Sequence, residues 1–176
     1  MIVEDDAFSR STLTDALRHQ GLEVVGATDN AKDAIAACHK FAPAVAICDL
    51  DLGLGPTGLD VAHALRKNSP NIGIIILTSY RDPRLADPNL PELPLGSILM
   101  NKKELTSMAI LGMQINAAAR DPLKKRKQDW AKTGKFQTLS STQIEILRSI
   151  ADGMSTADIA KSRDVSEQSI EKTIQR

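Results

Sequence analysis

The sequence predicts an α/β fold, a five-stranded doubly wound parallel sheet, followed by a small all-α unit. Three observations lead there. Over residues 1–120, short apolar runs alternate with stretches of helical periodicity, the pattern of strand-helix units laid into a parallel sheet. Two of the runs, 44–48 and 72–77, are continuously apolar, as strands covered on both faces must be. From residue 139 onward the strand signals stop, and three combinations of cap residue and helical spacing follow one another.

The first strand is expected at residues 1–3, unusually short, and the second at 23–27. The third and fourth, 44–48 and 72–77, are central, and the fifth spans 97–100. Residues 8–20 carry Leu13 and Leu17 at helical spacing and stop at Gly21. Asn30 suits the N-cap of a helix over 31–40, because its side-chain oxygen can accept from first-turn amides. A third helix over 59–67 puts Leu59, Ala62 and Leu65 on one face. The last, over 104–119, ends near Asp121 and Pro122, where the residue before proline resists helical geometry. No helix is expected between the fourth and fifth strands. Pro83, Pro88, Pro91 and Pro94 leave room for no more than about two turns, so a Pro-rich loop replaces it.

Residues 121–138 (DPLKKRKQDWAKTGKFQT) read as a polar linker, dividing the chain into 1–120, 121–138 and 139–176. In the last part, Ser141 is expected to cap a helix that carries Ile144, Leu147 and Ile150 at helical spacing and ends at Gly153. Ser155 or Thr156 then caps a short helix containing Ile159 and Ala160, and Ser166 caps a third with Ile170 and Ile174 inward. Such a succession suggests a helix-turn-helix. The chain stops at Arg176, inside the third of these helices, so the unit is expected to be incomplete.

Apolar residues make up 42% of the 176, with only five aromatics, so Leu, Ile, Val and Ala must build the cores. No window holds the roughly 18 consecutive apolar residues of a membrane span, and no signal-peptide pattern opens the chain. A cytoplasmic protein without a membrane partner is expected. Cys38 and Cys48 lack metal-ligand spacing and read as reduced core residues. Residues 1–120 carry 11 Lys/Arg against 14 Asp/Glu, whereas 121–176 carry 11 against 8. The mildly basic C-terminal part permits nucleic-acid contact without establishing it.

Ligands of open parallel sheets sit outside the carboxyl ends of the strands. There the sequence puts Glu4 and Asp5 after the first strand, Asp49 after the third, Thr78 after the fourth and Lys102 after the fifth. Three clustered carboxylates repel one another, and a hard divalent cation relieves this, Mg²⁺ being the natural choice. Asp49 could then attack a phosphoryl group while metal, Lys102 and Thr78 neutralise charge on its oxygens, giving an aspartyl phosphate.

VEDD at 3–6, CDLDLG at 48–53 with Gly58 beyond, LTS at 77–79 and LMNK at 99–102 together resemble the receiver signature of two-component response regulators. The resemblance covers residues 1–120 and implies a flavodoxin-like receiver. It makes Asp49 the phosphoacceptor, Glu4 and Asp5 the acidic pair, Asp51 the donor of a backbone carbonyl to Mg²⁺, and Thr78 and Lys102 the phosphoryl-binding residues. Lys103 competes with Lys102 for that place. Gly53 stands where the family often has Pro, and Leu99 where many receivers carry a switch aromatic. With the Pro-rich loop, these departures imply that the signal leaves the pocket by another route.

The C-terminal segment, with LSSTQ, GMS and DIA in order, resembles the LuxR/NarL-type output domain. By that resemblance the helix after Ser166 enters the major groove, and Gln168, Ser169, Lys172 and Arg176 are candidates for base or phosphate contacts. Glu171 stands where the family often has Lys. The expected protein is therefore not an enzyme but a transcription regulator, served by a histidine kinase, bound to double-stranded DNA and homodimeric when active. A phosphorylation-independent regulator or a protein-interaction switch is the alternative. Asp49-Leu50-Asp51 also resembles the nucleophile motif of haloacid-dehalogenase-type phosphohydrolases, but that family places it after the first strand and its acidic pair later, the reverse of the order here.

Overall fold

The computed structural model describes residues 1–80, 82–86, 90–125 and 139–174. Five parallel strands, β1 (Ile2–Val3), β2 (Ala27–Thr28), β3 (Val45–Asp49), β4 (Gly73–Thr78) and β5 (Ile98–Asn101), form one sheet in the order β2-β1-β3-β4-β5. This is the flavodoxin-like arrangement. Helices α1 (Ala7–His19), α2 (Ala31–Phe41), α3 (Gly58–Asn68) and α4 (Met108–Arg120) connect or follow the strands.

Alternation along the strands sorts the core into two layers, as period-two geometry requires. Ala46 and Cys48 pack with Ala34, Cys38, Leu59 and Leu65 of α2 and α3. Val45, Ile47, Ile75 and Leu77 pack with Leu17 and Leu111 of α1 and α4 on the opposite face. Both cysteines are buried and free, and burial pushes the Cys48 thiol up to about 12, consistent with an inert core residue.

Among the described residues between β4 and β5 there is no α-helix, only a 3₁₀ turn at Pro83–Leu85 capped by Asp82. Pro83 opens that turn and Pro91 and Pro94 lie outside any helix, while Pro88 lies outside the described residues. Two elements differ from expectation. Strand β2 is reduced to Ala27–Thr28, with residues 22–26 outside regular pairing although Gly26 still accepts from the Ile2 amide. Helix α4 begins at Met108, not 104, because Asn101 caps a 3₁₀ turn over Lys102–Glu104 and Leu105 leaves helical geometry at ψ 67°.

Beyond the linker, of which 126–138 lie outside the described residues, follow α5 (Ser141–Ala151), α6 (Thr156–Ser162) and α7 (Glu167–Ile174). The cap of α5 is Ser140 rather than Ser141: its hydroxyl accepts from the Gln143 amide while the Gln143 side chain accepts from the Ser140 amide. Ser155 caps α6. Ile146, Ile159, Ala160 and Ile170 form the core here. Ile146, not singled out from the sequence, is buried, whereas Ile174, expected inward, is 38% exposed. Ile146 was passed over because α5 is covered on two sides. Ile144 and Ile146 point about 160° apart on a helix, yet both are buried, since α5 packs against α6 and α7 and also against the Pro83–Leu85 turn.

Candidate functional site

The carboxyl ends of β1, β3, β4 and β5 bring the predicted residues together. Glu4, Asp5 and Asp49 each present a carboxylate oxygen within 4.8 Å of the others. Glu4 and Asp49 are buried at 3% and 9% exposure, while Asp5 faces solvent. The approach depends on Gly58 at the start of α3. A β-carbon there would lie 1.6 Å from the Asp49 carbonyl oxygen, so only glycine lets α3 begin against the acceptor strand.

Lys102 reaches across the pocket, its Nζ 2.8 Å from Glu4 Oε2 and 2.9 Å from Asp49 Oδ2. Lys103 is exposed, with its amide on Asn101, so Lys102 is the lysine that faces the acidic residues. Burial opposes the Lys102 charge, but hydrogen bonds to Glu4 and Asp49 outweigh it and hold the ammonium above the ordinary lysine range. Glu4 is also raised, first by burial and then by Asp49, against the pull of Lys102. The two directions agree once one cation is seen to serve two carboxylates: the lysine gains twice, whereas Glu4 has only a share. The chemistry of this donor set, all hard oxygen anions in excess over the cation, suits Mg²⁺.

Thr78 is fully buried at the end of β4, and its Oγ1 accepts from the Tyr80 amide at 3.1 Å. Asp51 lies at the mouth, where its side chain accepts from the Tyr80 hydroxyl at 2.8 Å and from the Gly53 amide at 3.2 Å. That hydrogen bond to Asp51 is the main reason the Tyr80 phenol is raised. Tyr80 was missed from the sequence. The signal available was its place two residues beyond Thr78, within an aromatic side chain's reach of the pocket.

On α7, Gln168, Ser169 and Lys172 are exposed while Ile170 is buried, so the first three are accessible from outside the bundle. Arg176 lies outside the described residues. Glu171 is exposed as well, and Arg163 is paired with Glu145 at 2.9 Å. Arg148 on α5 points instead to the first 120 residues, donating to the carbonyls of Leu85 and Ala86.

Residues 1–90 match the response regulator receiver domain family, and residues 137–176 match the bacterial regulatory proteins of the luxR family. The chain is a response regulator. It joins a receiver to a LuxR-type DNA-binding domain and belongs to a class that regulates transcription, interacting with histidine kinases and DNA. Similar curated response regulators include the nitrate/nitrite response regulator NarP of Escherichia coli, 27% identical over 97% of this chain and 82% of that one. The oxygen regulatory protein NreC of Staphylococcus aureus is 27% identical over 97% of this chain and 85% of its own. In fold, the response regulator is similar to RcsB in a DNA complex, at a TM-score of 0.56 and 22% identity, covering 99% of this chain and 87% of the other. Receiver domains generally bind Mg²⁺ at an acidic site, and Glu4, Asp5 and Asp49 of this response regulator form a cluster of acidic residues. No helix among the described residues is long and apolar enough to cross a membrane.

Proposed function

We propose that this response regulator is phosphorylated on Asp49 by a histidine kinase and thereby controls DNA binding through α7. The observation that carries this is the convergence of three carboxylates, with Lys102 on Asp49 Oδ2, at the carboxyl end of the sheet. In the step itself, an Asp49 carboxylate oxygen attacks phosphorus in line, the phosphorus–nitrogen bond of the donor's phosphohistidine breaks, and the imidazole leaves with its electron pair. Mg²⁺ held by Glu4, Asp5, Asp49 and the Asp51 backbone carbonyl would supply charge neutralisation at the phosphoryl oxygens. Lys102 swings from its carboxylates onto one of those oxygens, and the Thr78 hydroxyl donates to another.

In this reading residues 1–120 are the receiver, 121–138 the linker and 139–176 the output domain, with a homodimer as the active form in the cytoplasm. Gln168, Ser169, Lys172 and Arg176 contact DNA. The test is mass spectrometry after acetyl phosphate and Mg²⁺. One phosphoryl group per chain is expected on wild type and none on Asp49→Asn; an unlabelled wild type beside a labelled control receiver overturns the proposal, and continuous turnover of phosphate monoesters would make the protein a hydrolase instead.

A further inference from the structure

Glu4 and Asp5 are neighbours in the chain, yet both deliver a carboxylate oxygen to the same pocket as Asp49. Along a strand, successive side chains point to opposite faces, so two adjacent residues reach one site only if the backbone bends between them. The strand ends where the bend is needed: the Glu4 amide still donates to the Thr28 carbonyl at 3.0 Å, continuing the ladder of β1 with β2, and beyond it the chain turns into α1. Asp6, the third acid of the run, instead caps α1, accepting from the Ser9 amide at 2.7 Å.

A single side chain grips the bend. Nη1 of Arg10, one turn into α1, donates to the Glu4 carbonyl at 2.6 Å and to the Asp5 carbonyl at 3.0 Å. Two consecutive carbonyls that face one nitrogen are incompatible with extended backbone, where they alternate as the side chains do. Both bonds carry the guanidinium charge, which makes them stronger than neutral ones. Arg10 is itself held from two sides. The Thr14 hydroxyl donates to its carbonyl at 2.7 Å, and Nη2 lies 3.8 Å from Asp29 Oδ2, while Asp29 Oδ1 accepts from Asn30, the N-cap of α2. Among the described residues the ion pair of Arg10 is with Asp29, not with Glu4 or Asp5, so the carboxylates of the acidic pair stay available to the pocket.

Charge and geometry have opposite consequences here. As a nearby cation, Arg10 repels any divalent ion in the pocket and treats Mg²⁺ and Ca²⁺ alike, since both carry the same charge. As a brace, it matters most to the ion with the stricter geometry. Mg²⁺ requires near-octahedral oxygens at about 2.0–2.1 Å, whereas Ca²⁺ takes roughly six to eight oxygens at about 2.3–2.6 Å in flexible arrangements. We propose that Arg10 is a positioning residue that fixes the bend at Glu4 and Asp5 and thereby makes the acidic pocket selective for Mg²⁺ over Ca²⁺. The inference rests on the metal-binding part of the function proposed above and adds the residue that sets which ion the pocket takes.

Calorimetric titration of the full chain with Mg²⁺ alone, and separately with Ca²⁺ alone, tests this. Arg10→Met keeps the apolar length of the side chain and removes its donors and charge. It should weaken Mg²⁺ binding by about tenfold or more, the scale of losing charge-assisted hydrogen bonds, and Ca²⁺ binding by less, so that the ratio of the two affinities falls. Arg10→Lys keeps a charged nitrogen with several donors and should lie nearer wild type than Arg10→Met in that ratio. Unchanged or tighter Mg²⁺ binding by folded Arg10→Met, or an equal change for both ions, overturns the positioning role, because charge and general destabilisation act on both ions alike. Should Arg10→Met not fold, Asp29→Asn removes the outer anchor of the guanidinium and decides instead: the ratio should again fall, and an unchanged ratio overturns the proposal. Wild type that binds neither ion refutes the metal reading of the pocket and the role of Arg10 with it, whereas binding by wild type with the ratio unaltered in the variants refutes Arg10 alone.

Discussion

At the scale of single residues, Lys102 is the internal counter-ion of the pocket, and its removal should be felt as charge imbalance. Lys102→Met leaves Glu4 and Asp49, both buried, without their shared cation. Unpaired buried polar groups cost about 1–3 kcal/mol each, more when charged. Urea unfolding should therefore show Lys102→Met destabilised by at least about that amount without divalent ions, with much of the loss recovered in excess Mg²⁺. Unchanged stability would mean that the ammonium contributes nothing to holding the carboxylates. The acidic residues were legible because carboxylates following apolar runs stand out along the chain. Choosing between Lys102 and Lys103 was not, since one residue in a 3₁₀ turn rotates a side chain by a third of a circle. Tyr80 and Asp82 were invisible for another reason: their roles depend on partners 29 and 57 positions away.

Among the elements, α3 and α5 show how local chemistry places the larger parts. Gly58 is the first residue of α3 and stands against the backbone of Asp49 and Leu50. Gly58→Ala forces that helix off the acceptor strand, a backbone clash with no side chain to yield, and should cost about 3 kcal/mol or more in chemical denaturation. Helix α5 has a capping box at Ser140 and Gln143. Ser140→Ala should lower the stability of the α5–α7 unit by about 1 kcal/mol, visible as a lower thermal midpoint for that unit with the receiver transition unmoved. Periodicity revealed every α-helix among the described residues and the proline-broken gap, because apolar spacing and caps are local properties. It misassigned Ile174, and it overlooked Ile146 because a helix held between two neighbours, as α5 is, has no single inward face.

For the whole molecule, docking of the two units should depend on acid. Burial alone would raise Asp82, but hydrogen bonds from Arg84 and Leu139 outweigh it and hold the carboxyl below the usual aspartate value of 3.8. A lowered folded value means that the stabilisation is complete at neutral pH, persists down to that usual value, and disappears as pH falls through the lowered one. Joint tumbling of the two units should thus survive mild acid and end below about pH 4, whereas Asp82→Asn should lose this dependence. The alternation of apolar runs with helices was sufficient to foretell the sheet, but nothing in it foretold that the output domain would rest on the Pro83–Leu85 turn. Such a contact is written in charges that look like ordinary surface residues until the chain is folded.

The strand order β2-β1-β3-β4-β5 also has a consequence for synthesis. β1 pairs with β2 and, by Ile2 to Ile47, with β3, so this early strand waits for much later ones before it has both neighbours. Lys102 comes later still. A nascent chain that has just delivered Asp49 from the ribosome therefore holds the acidic residues before it holds the ammonium that balances them. Their mutual repulsion opposes early closure of the sheet's carboxyl end, and β5 relieves it by bringing in Lys102. The pocket thus favours completion of the receiver in the order of translation, with its last strand supplying the charge that lets the others settle.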